Sequence, residues 1–205
     1  MAADAAKTAQ DGAAAAMRFD SLTRAASSAR VKGPPPVHLW NPPFCGDIDM
    51  RIARDGHWHY LGTPIGRPAL VQLFASILRK DLERYVLVTP VERVGIKVDD
   101  APFLGVELEA SGAGEAQTLR LRTNVEDRVT IGPEHPLRFA PGASGGIKPY
   151  VLVRAKLEAL VTRALFHDLA ALGAPRRVNG VEMFGLWSGG AFFAMAPMAE
   201  IEGLT

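Results

Sequence analysis

Two adjacent carboxylates, Asp99 and Asp100, follow an apolar run and precede Pro102. Neighbouring strand residues point to opposite faces, so the pair cannot act on one small group if the strand continues. Catalysis by paired carboxylates needs side chains that converge. Carboxylates at a strand end commonly cap backbone N–H groups. We therefore expect both aspartates to end a strand, with contact to a ligand as the alternative, and the same choice applies to Glu92.

Two arginines, Arg67 and Arg154, each stand at the start of a segment with helical periodicity. A cation is unfavourable at that end of a helix, because the helix dipole attracts anions there. Arginine binds carboxylates and phosphates through two parallel hydrogen bonds. The position therefore predicts an ion pair with a carboxylate such as Asp99, or contact with a bound anion.

Aromatic side chains that can stack on a base occur in two predicted strands, at Trp58, Tyr60 and Trp187. Aromatic residues of strands are more often core residues, so burial is the competing interpretation. In the predicted hairpin Arg51 lies opposite Tyr60, which is compatible with a simple cation–π pair.

Metal and nucleophile motifs are weak. His57 and His59 share a strand face, but no third ligand stands at a recognised zinc spacing, so we predict no metal site. The segment GASGG, residues 142–146, matches G-x-S-x-G but lies in a loop instead of between a strand and a helix. We therefore assign no catalytic residue. A hydrolase that uses Asp99, Asp100 or Glu92, or with less support Ser144, remains the enzymatic alternative.

The elements that would position these residues repeat along the chain. A turn at Asp55-Gly56 predicts a hairpin with Arg54 opposite His57. Apolar residues at 70, 73, 74, 77 and 78 predict a helix over 67–81, followed by strands at 85–88 and 94–98.

The second half follows the same order. Alternation over 104–110 and 118–122 predicts a hairpin with Glu107 opposite Arg120 and with one apolar and one charged face. The four charges, Glu107, Glu109, Arg120 and Arg122, are interpreted as cross-strand ion pairs on the surface. A helical stripe from Leu157 predicts a helix over 154–173, and strands follow at 182–187 and 191–195. We infer an α+β protein with two small α+β domains and a duplicated core of a β-hairpin, a helix and two strands. The predicted parts are a flexible Ala-rich arm (1–33) with a short helix near Leu22 to Ala29, an N-terminal domain (34–100) and a C-terminal domain (101–205).

Composition limits the partners. The 205 residues hold 23 Lys+Arg against 22 Asp+Glu, so net charge does not indicate nucleic acid, although a local basic patch can still bind it. The single cysteine excludes an internal disulfide and fits a reducing cytoplasm. No apolar run approaches the length of a membrane span, and no signal peptide is predicted. We expect a cytoplasmic protein that does not bind membranes.

Four motifs carry a family resemblance: PPVHLWNPPFCGDIDMRIARDG, GTPIGR, LVTPVERVGIKVDDAPF and PYVLVRAKLEALVTRALF. They resemble the bacterial domain-of-unknown-function 1285 family, in the family's order, over about 33–196. The resemblance implies two α+β domains with a duplicated core, the second superficially like a pleckstrin-homology barrel. It implies no established enzymatic activity, and it implies ligand binding at the domain interface in signalling.

The sequence thus predicts a non-enzymatic protein that binds a small anionic, nucleotide-like or nucleic-acid-like ligand at the interface between its two domains, without a cofactor or metal. A protein–protein interaction module is a further alternative, and exposed strand edges such as AFFAM make a homodimer conceivable. The candidate ligand contacts share a charged or aromatic side chain and are Arg51, Trp58, Tyr60, Arg67, Glu92, Asp99, Asp100, Tyr150, Arg154 and Trp187.

Overall fold

The fold is that of a computed structural model, which describes residues 17–28, 35–142 and 146–202. The chain divides into two compact units. The N-terminal unit holds the residues up to Arg51 together with His57–Lys97, and the C-terminal unit holds Ile52–Gly56 together with the chain from Val98 onward. Ser144 of the GASGG loop lies outside the described residues, so that interpretation stays untested.

A first helix, α1, covers residues 17–28 in the N-terminal unit. Apolar residues recur at helical spacing, and Leu22 is only 3% exposed. The Phe19 ring lies 4.6 Å from the Tyr60 ring. A helix is therefore present where the sequence predicted a short one near Leu22 to Ala29, but it already includes residue 17, and its apolar stripe is buried. The rest of the predicted arm, 1–16 and 29–33, lies outside the described residues.

The N-terminal unit is built on a six-stranded sheet with the order β3-β2-β1-β6-β5-β4. A second helix lies between the third and fourth strands of this sheet along the chain, and a 3₁₀ turn at Val37–Leu39 precedes the first strand. Its elements are β1 (Phe44–Ile52), β2 (Trp58–Tyr60), β3 (Thr63–Pro64), α2 (Pro68–Ser76), β4 (Leu78–Asp81), β5 (Arg84–Val88) and β6 (Arg93–Val98).

The predicted two-residue turn at 55–56 is wrong by one residue. The Leu61 N–H donates to the Asp49 carbonyl at 2.9 Å, which makes these positions partners and lengthens the loop. A one-residue shift moves every side chain of the strand to the other face. Trp58 therefore joins Met50 in the core, and each is 1% exposed.

The predicted helix 67–81 begins as expected but ends early. Arg67 is its N-cap and Pro68 its first residue, whereas the helix stops at Ser76 and Leu78 begins β4. Leu78 is buried in the strand as it would be in a helix, so the apolar stripe could not distinguish the two structures. The predicted strands 85–88 and 94–98 are confirmed by β5 and β6.

The C-terminal unit contains a six-stranded sheet, β10-β11-β12-β7-β8-β9, and a three-stranded sheet, β13-β14-β15. In the larger sheet β12 and β7 run parallel. The elements are β7 (Phe103–Ser111), β8 (Thr118–Thr123), β9 (Arg128–Thr130), β10 (Leu137–Pro141), β11 (Ile147–Arg154), β12 (Leu157–Val161), α3 (Arg163–Ala171), β13 (Ala174–Val178), β14 (Val181–Ser188), β15 (Ala191–Pro197) and α4 (Met198–Glu202).

The predicted helix 154–173 is wrong in its first part. Leu157, Ala159 and Val161 are buried at every second position of strand β12, and α3 begins only at Arg163. Arg154 ends strand β11, so it is not equivalent to an arginine that caps a helix. The predicted strands 182–187 and 191–195 are confirmed by β14 and β15.

The predicted hairpin of β7 and β8 forms with a register shifted by two residues. Glu107 pairs with Arg122, and Glu109 pairs with Arg120. A shift of two keeps each side chain on its face, so the predicted charged face is preserved. The register differs because the paired part of β7 continues to Ser111, opposite Thr118, so the loop is shorter than predicted.

The coarse prediction, a two-domain chain of mixed helices and strands, is thus confirmed, with strands dominating. The duplicated core stays a prediction. Across the ranges that the structure describes, every helix is too short or too polar to cross a membrane.

Candidate functional site

Of the two aromatic residues predicted to stack on a base in the N-terminal unit, one is a core residue and the other is half-buried. Trp58 is 1% exposed, and its ring stacks on Phe74 with centroids 6.4 Å apart. Its indole N–H is buried without a hydrogen-bond partner in the described part of the chain. Tyr60 is half-buried against Phe19. The prediction that Trp58 stacks on a ligand is therefore wrong, because Trp58 lies on the buried face of the hairpin.

The polar candidates of this unit lie on separate elements. Arg67 is exposed at the N-cap of α2 and makes no ion pair among the described residues. The predicted carboxylate partner is therefore wrong, and contact of Arg67 with a bound anion stays a prediction. Arg51 is exposed on β1. Glu92 stands in the turn between β5 and β6, where its N–H donates to the Thr89 hydroxyl at 3.2 Å.

In the C-terminal unit two predicted residues come together. The Tyr150 hydroxyl donates to Asp100 at 2.6 Å, and the Lys148 ammonium donates to the other carboxylate oxygen. Tyr150 and Lys148 are two apart on β11 and hence on one face. Burial raises the pKa of Asp100, but the bonds from Lys148 and Tyr150 and the charges of Lys148 and Arg54 outweigh it, so the net pKa is lowered.

This group continues across the sheet. Arg138 is the cross-strand partner of Tyr150, and its guanidinium lies 4.2 Å from the centre of the tyrosine ring. Arg138 also donates two 2.6 Å hydrogen bonds to Glu158. Burial and then the hydrogen bond to Asp100 raise the pKa of Tyr150, so the hydroxyl stays protonated. We call these residues the Asp100 network. Its carboxylates are held by donors, which is unsuited to general acid–base catalysis near neutral pH.

The other candidates of this unit have separate partners. Arg154 forms an ion pair with Asp127 and lies 4.8 Å from the Phe103 ring centre. Trp187 is covered by Arg176, whose guanidinium is 4.2 Å from its ring. The Asp99 N–H donates to the Ile52 carbonyl at 3.0 Å, so the backbone at Asp99 is anchored there.

A charged surface that sequence reasoning treated as ion pairs alone lies on β7, β8 and β9. We call it the arginine face. Its cross-strand partners are Glu107 with Arg122, Glu109 with Arg120, Arg120 with Thr130, and Arg122 with Arg128. Together these side chains line a hollow of about 210 Å³ whose floor is formed by the buried Leu121 and Val129.

The arginines of this face differ in their partners. Arg122 donates to Glu107 and, at 2.9 Å, to Glu126. The hydrogen bond from Arg122 and its charge lower the pKa of Glu107. Arg120 and Arg128 are exposed and have neither a hydrogen bond nor an ion pair within the described ranges. Two guanidiniums are thus available to a ligand.

Part of this face was visible in the sequence. The alternation of TLRLR places Arg120 and Arg122 together. Arg128 was missed because β9 is only three residues long and has no periodicity to detect.

A second hollow, of about 740 Å³, lies in the N-terminal unit around Phe44. The guanidinium of Arg84 is 5.1 Å, and that of Arg93 6.0 Å, from the Phe44 ring centre. Both are ion-paired, Arg84 with Asp47 at 3.1 Å and Arg93 with Asp81 at 3.0 Å. Hydrogen bonding from Arg79 is the largest cause that lowers the pKa of Asp81.

Comparison with known proteins places the chain. The model of the N-terminal domain of the domain of unknown function DUF1285 matches residues 35–101, and the model of the DUF1285 C-terminal domain matches 102–195. The chain belongs to the DUF1285 family. No curated protein matches it.

Two solved structures of DUF1285 proteins are similar. The DUF1285 family protein from Silicibacter pomeroyi DSS-3 is 53% identical, with a TM-score of 0.81 over 88% of this chain and 97% of that one. The DUF1285 family protein from Shewanella baltica OS155 is 28% identical, with a TM-score of 0.46 over 58% of this chain and 87% of that one.

The DUF1285 matches include both hollows, Phe44 within the N-terminal match and the whole arginine face within the C-terminal match. In the part of this DUF1285 chain that the structure describes, no three His, Cys, Asp or Glu side chains are grouped to hold a metal.

Proposed function

We propose that this DUF1285 protein is a non-enzymatic binding protein for a small anionic ligand, and that the arginine face binds it. The observation that carries the proposal is the pair of exposed guanidiniums, Arg120 and Arg128, which have no hydrogen bond or ion pair among the described residues. Arginine recognises carboxylate and phosphate groups through paired N–H donors.

The arrangement of the strands supports an anion at this place. Arg122 and Arg128 are direct cross-strand partners. Like charges in that arrangement destabilise a sheet. Glu107 and Glu126 are ion-paired with Arg122, and the hydrogen bond from Arg122 together with the charge of Arg128 lowers the pKa of Glu107. Arg128 itself has no ion pair or hydrogen bond among the described residues, so its N–H donors are left to solvent or to a ligand. An anion bound between Arg120, Arg128 and the Thr130 hydroxyl would relieve this repulsion.

The proposal relocates the predicted site. Trp58 lies in the core, and Arg154 already has a carboxylate partner. No aromatic side chain lines the hollow of the arginine face, so recognition would rest on the anionic group and not on a stacked base. A nucleotide would bind there through its phosphates. A role in signalling and a pleckstrin-homology-like second domain stay predictions of the family resemblance.

The test is thermal unfolding of the full chain with sodium phosphate or sodium sulfate, at an ionic strength matched with sodium chloride. Ligand at 100 times its Kd should raise the Tm by about 5 °C. Arg120→Gln and Arg128→Gln should each reduce the rise, and the double variant should abolish it. Lys156→Gln is the control, because it removes one exposed cation from a turn of the same unit.

Two results would contradict the proposal. One is the absence of stabilisation by either oxyanion beyond that of sodium chloride. The other is an equal rise in the wild type and in the double variant, which would place any bound anion elsewhere on the chain.

A further inference from the structure

A carboxylate stands beside the two available guanidiniums on the arginine face. Glu109 on β7 is exposed, lines the hollow and is the cross-strand partner of Arg120. It has no hydrogen bond or ion pair within the residues that the structure describes. A carboxylate in an anion site repels the ligand unless the ligand can donate a hydrogen bond to it, because an ionised carboxylate is only an acceptor.

We propose that the anionic group is a singly charged phosphate, which retains at least one proton, and that Glu109 accepts the hydrogen bond from its P–OH. The inference rests on the proposed anion-binding function and adds the ligand class. Arg120, Arg128 and the Thr130 hydroxyl donate to the unprotonated oxygens. A tetrahedral phosphate offers oxygens to the donors and its hydroxyl to the acceptor at the same time.

The charges fit this ligand. Arg122 is ion-paired with both Glu107 and Glu126, so these three side chains carry one net negative charge. Arg120, Arg128 and Glu109 carry one net positive charge, so the six side chains balance, which favours an anion of low charge such as a singly charged phosphate. The second pKa of a phosphate ester is about 6, so the protonated form is accessible near neutral pH. Sulfate has a similar shape but no proton to donate at that pH, so it would face Glu109 without a hydrogen bond.

The discriminating experiment is calorimetric titration of the full chain with sodium phosphate and, separately, with sodium sulfate at pH 6.5, in chloride buffer of constant ionic strength. The wild type should bind phosphate about tenfold more tightly than sulfate, as expected when a site's polar group is left unpaired by the poorer ligand. Glu109→Gln removes the repulsion and supplies an amide donor, so its sulfate affinity should rise towards its phosphate affinity. Glu115→Gln, an exposed acid between β7 and β8, should keep the wild-type ratio.

The outcomes separate this inference from the proposed function. Equal binding of phosphate and sulfate to the wild type, lost in the Arg120→Gln, Arg128→Gln double variant, would leave anion binding intact and overturn the phosphate assignment. An unchanged phosphate preference in Glu109→Gln would overturn the role of Glu109. Binding of neither anion would remove the proposed function together with the inference. Because Glu109 is exposed, circular dichroism should show Glu109→Gln folded like the wild type.

The source of the phosphate group is a separate arm of the same titration. Tighter binding of glycerol phosphate than of inorganic phosphate would support a phosphomonoester ligand. The reverse order would support free phosphate as the ligand.

Discussion

The two hollows use arginine in opposite ways. Around Phe44 each guanidinium has a carboxylate, Asp47 for Arg84 and Asp81 for Arg93. On the arginine face Arg122 alone is ion-paired, whereas Arg120 and Arg128 have no ion pair among the described residues, although Glu109 is the cross-strand partner of Arg120.

The difference shows that arginine stabilises the structure where it is ion-paired, and provides positive charge for a ligand where it is not. A guanidinium that shares a carboxylate with a neighbour is fixed in geometry and contributes no net field. One that faces another cation across a strand keeps its field and its donors, at a cost in stability. Ligand binding is therefore expected where the pairing is incomplete.

The largest predicted effect follows from removing a carboxylate that binds arginines in the hollow around Phe44. Asp81→Asn removes the carboxylate that accepts two hydrogen bonds from Arg79 and one from Arg93. The free energy of unfolding should fall by about 2 kcal/mol, because the guanidiniums lose charged hydrogen bonds in a partly buried place. Urea unfolding measures the change. Glu83→Gln, which removes the exposed carboxylate paired with Lys80 at 3.9 Å, should change the free energy of unfolding by less than about 0.5 kcal/mol. Equal losses in both variants would show that the pairing around Asp81 has no special role.

Acid should reduce the stability that two carboxylates, Asp81 and Asp100, contribute to the fold. The pKa values of Asp81 and Asp100 are lowered in the folded protein, by hydrogen bonds from Arg79 to the first and, against the opposing effect of burial, from Lys148 and Tyr150 to the second. A lowered folded pKa gives stability that is complete above the unfolded value, about 3.9, and is lost as the pH falls through the folded value. Unfolding free energies at pH 6 and pH 3 should therefore differ by less in Asp81→Asn than in the wild type. The same pH dependence in both would contradict the assignment to Asp81.

A smaller effect concerns the Asp100 network. Tyr150→Phe deletes the hydroxyl that donates to Asp100 at 2.6 Å and keeps the ring beside Arg138. We expect a loss of about 1 kcal/mol by urea unfolding, because Asp100 retains Lys148 as a donor. A loss as large as that of Asp81→Asn would mean that the hydroxyl, and not the ammonium, is the main support of Asp100.

The smallest predicted effect has the opposite sign. Arg128→Gln removes one of two like charges that are direct cross-strand partners, so in the absence of ligand it should stabilise the chain by about 0.5 kcal/mol at low salt. The gain should shrink in 0.5 M sodium chloride because salt screens exposed charges. Arg84→Gln, which removes an arginine that has a carboxylate partner, should bring no gain. Destabilisation by Arg128→Gln at low salt would contradict the picture of an uncompensated charge.

The strands that were predicted correctly are those whose start and end are marked by nearby residues in the sequence. Segments 85–88 and 182–187 carry apolar and aromatic residues in short runs, and both lie within strands of the sheets. LEALV misled because its residues also continue a helical stripe into α3. Only pairing with β11 and β7 decides for the strand, and that pairing involves residues distant in sequence.

The candidate site was harder to predict than the fold. Asp100 and Tyr150 were both selected, and they touch, but their hydrogen bond depends on how β11 lies beside the segment after β6. For Trp58 the sequence left both stacking on a ligand and burial open, and the observed hairpin register decides for burial. The availability of Arg120 and Arg128 depends on which carboxylates reach which guanidinium, and residue types alone do not contain that information.

The loop Ile52–Gly56 belongs to the C-terminal unit although it is covalently part of the N-terminal hairpin. Gly56 has a φ of 79°, and a Cβ there would stand 2.8 Å from Leu104. The Ile52 carbonyl accepts the Asp99 N–H. A protease cut or an insertion in this loop should therefore loosen the unit that begins at Val98. If the chain is divided into two separately expressed halves, we expect the C-terminal half to fold fully only when residues 52–56 are supplied to it, either linked to the chain or as an added peptide.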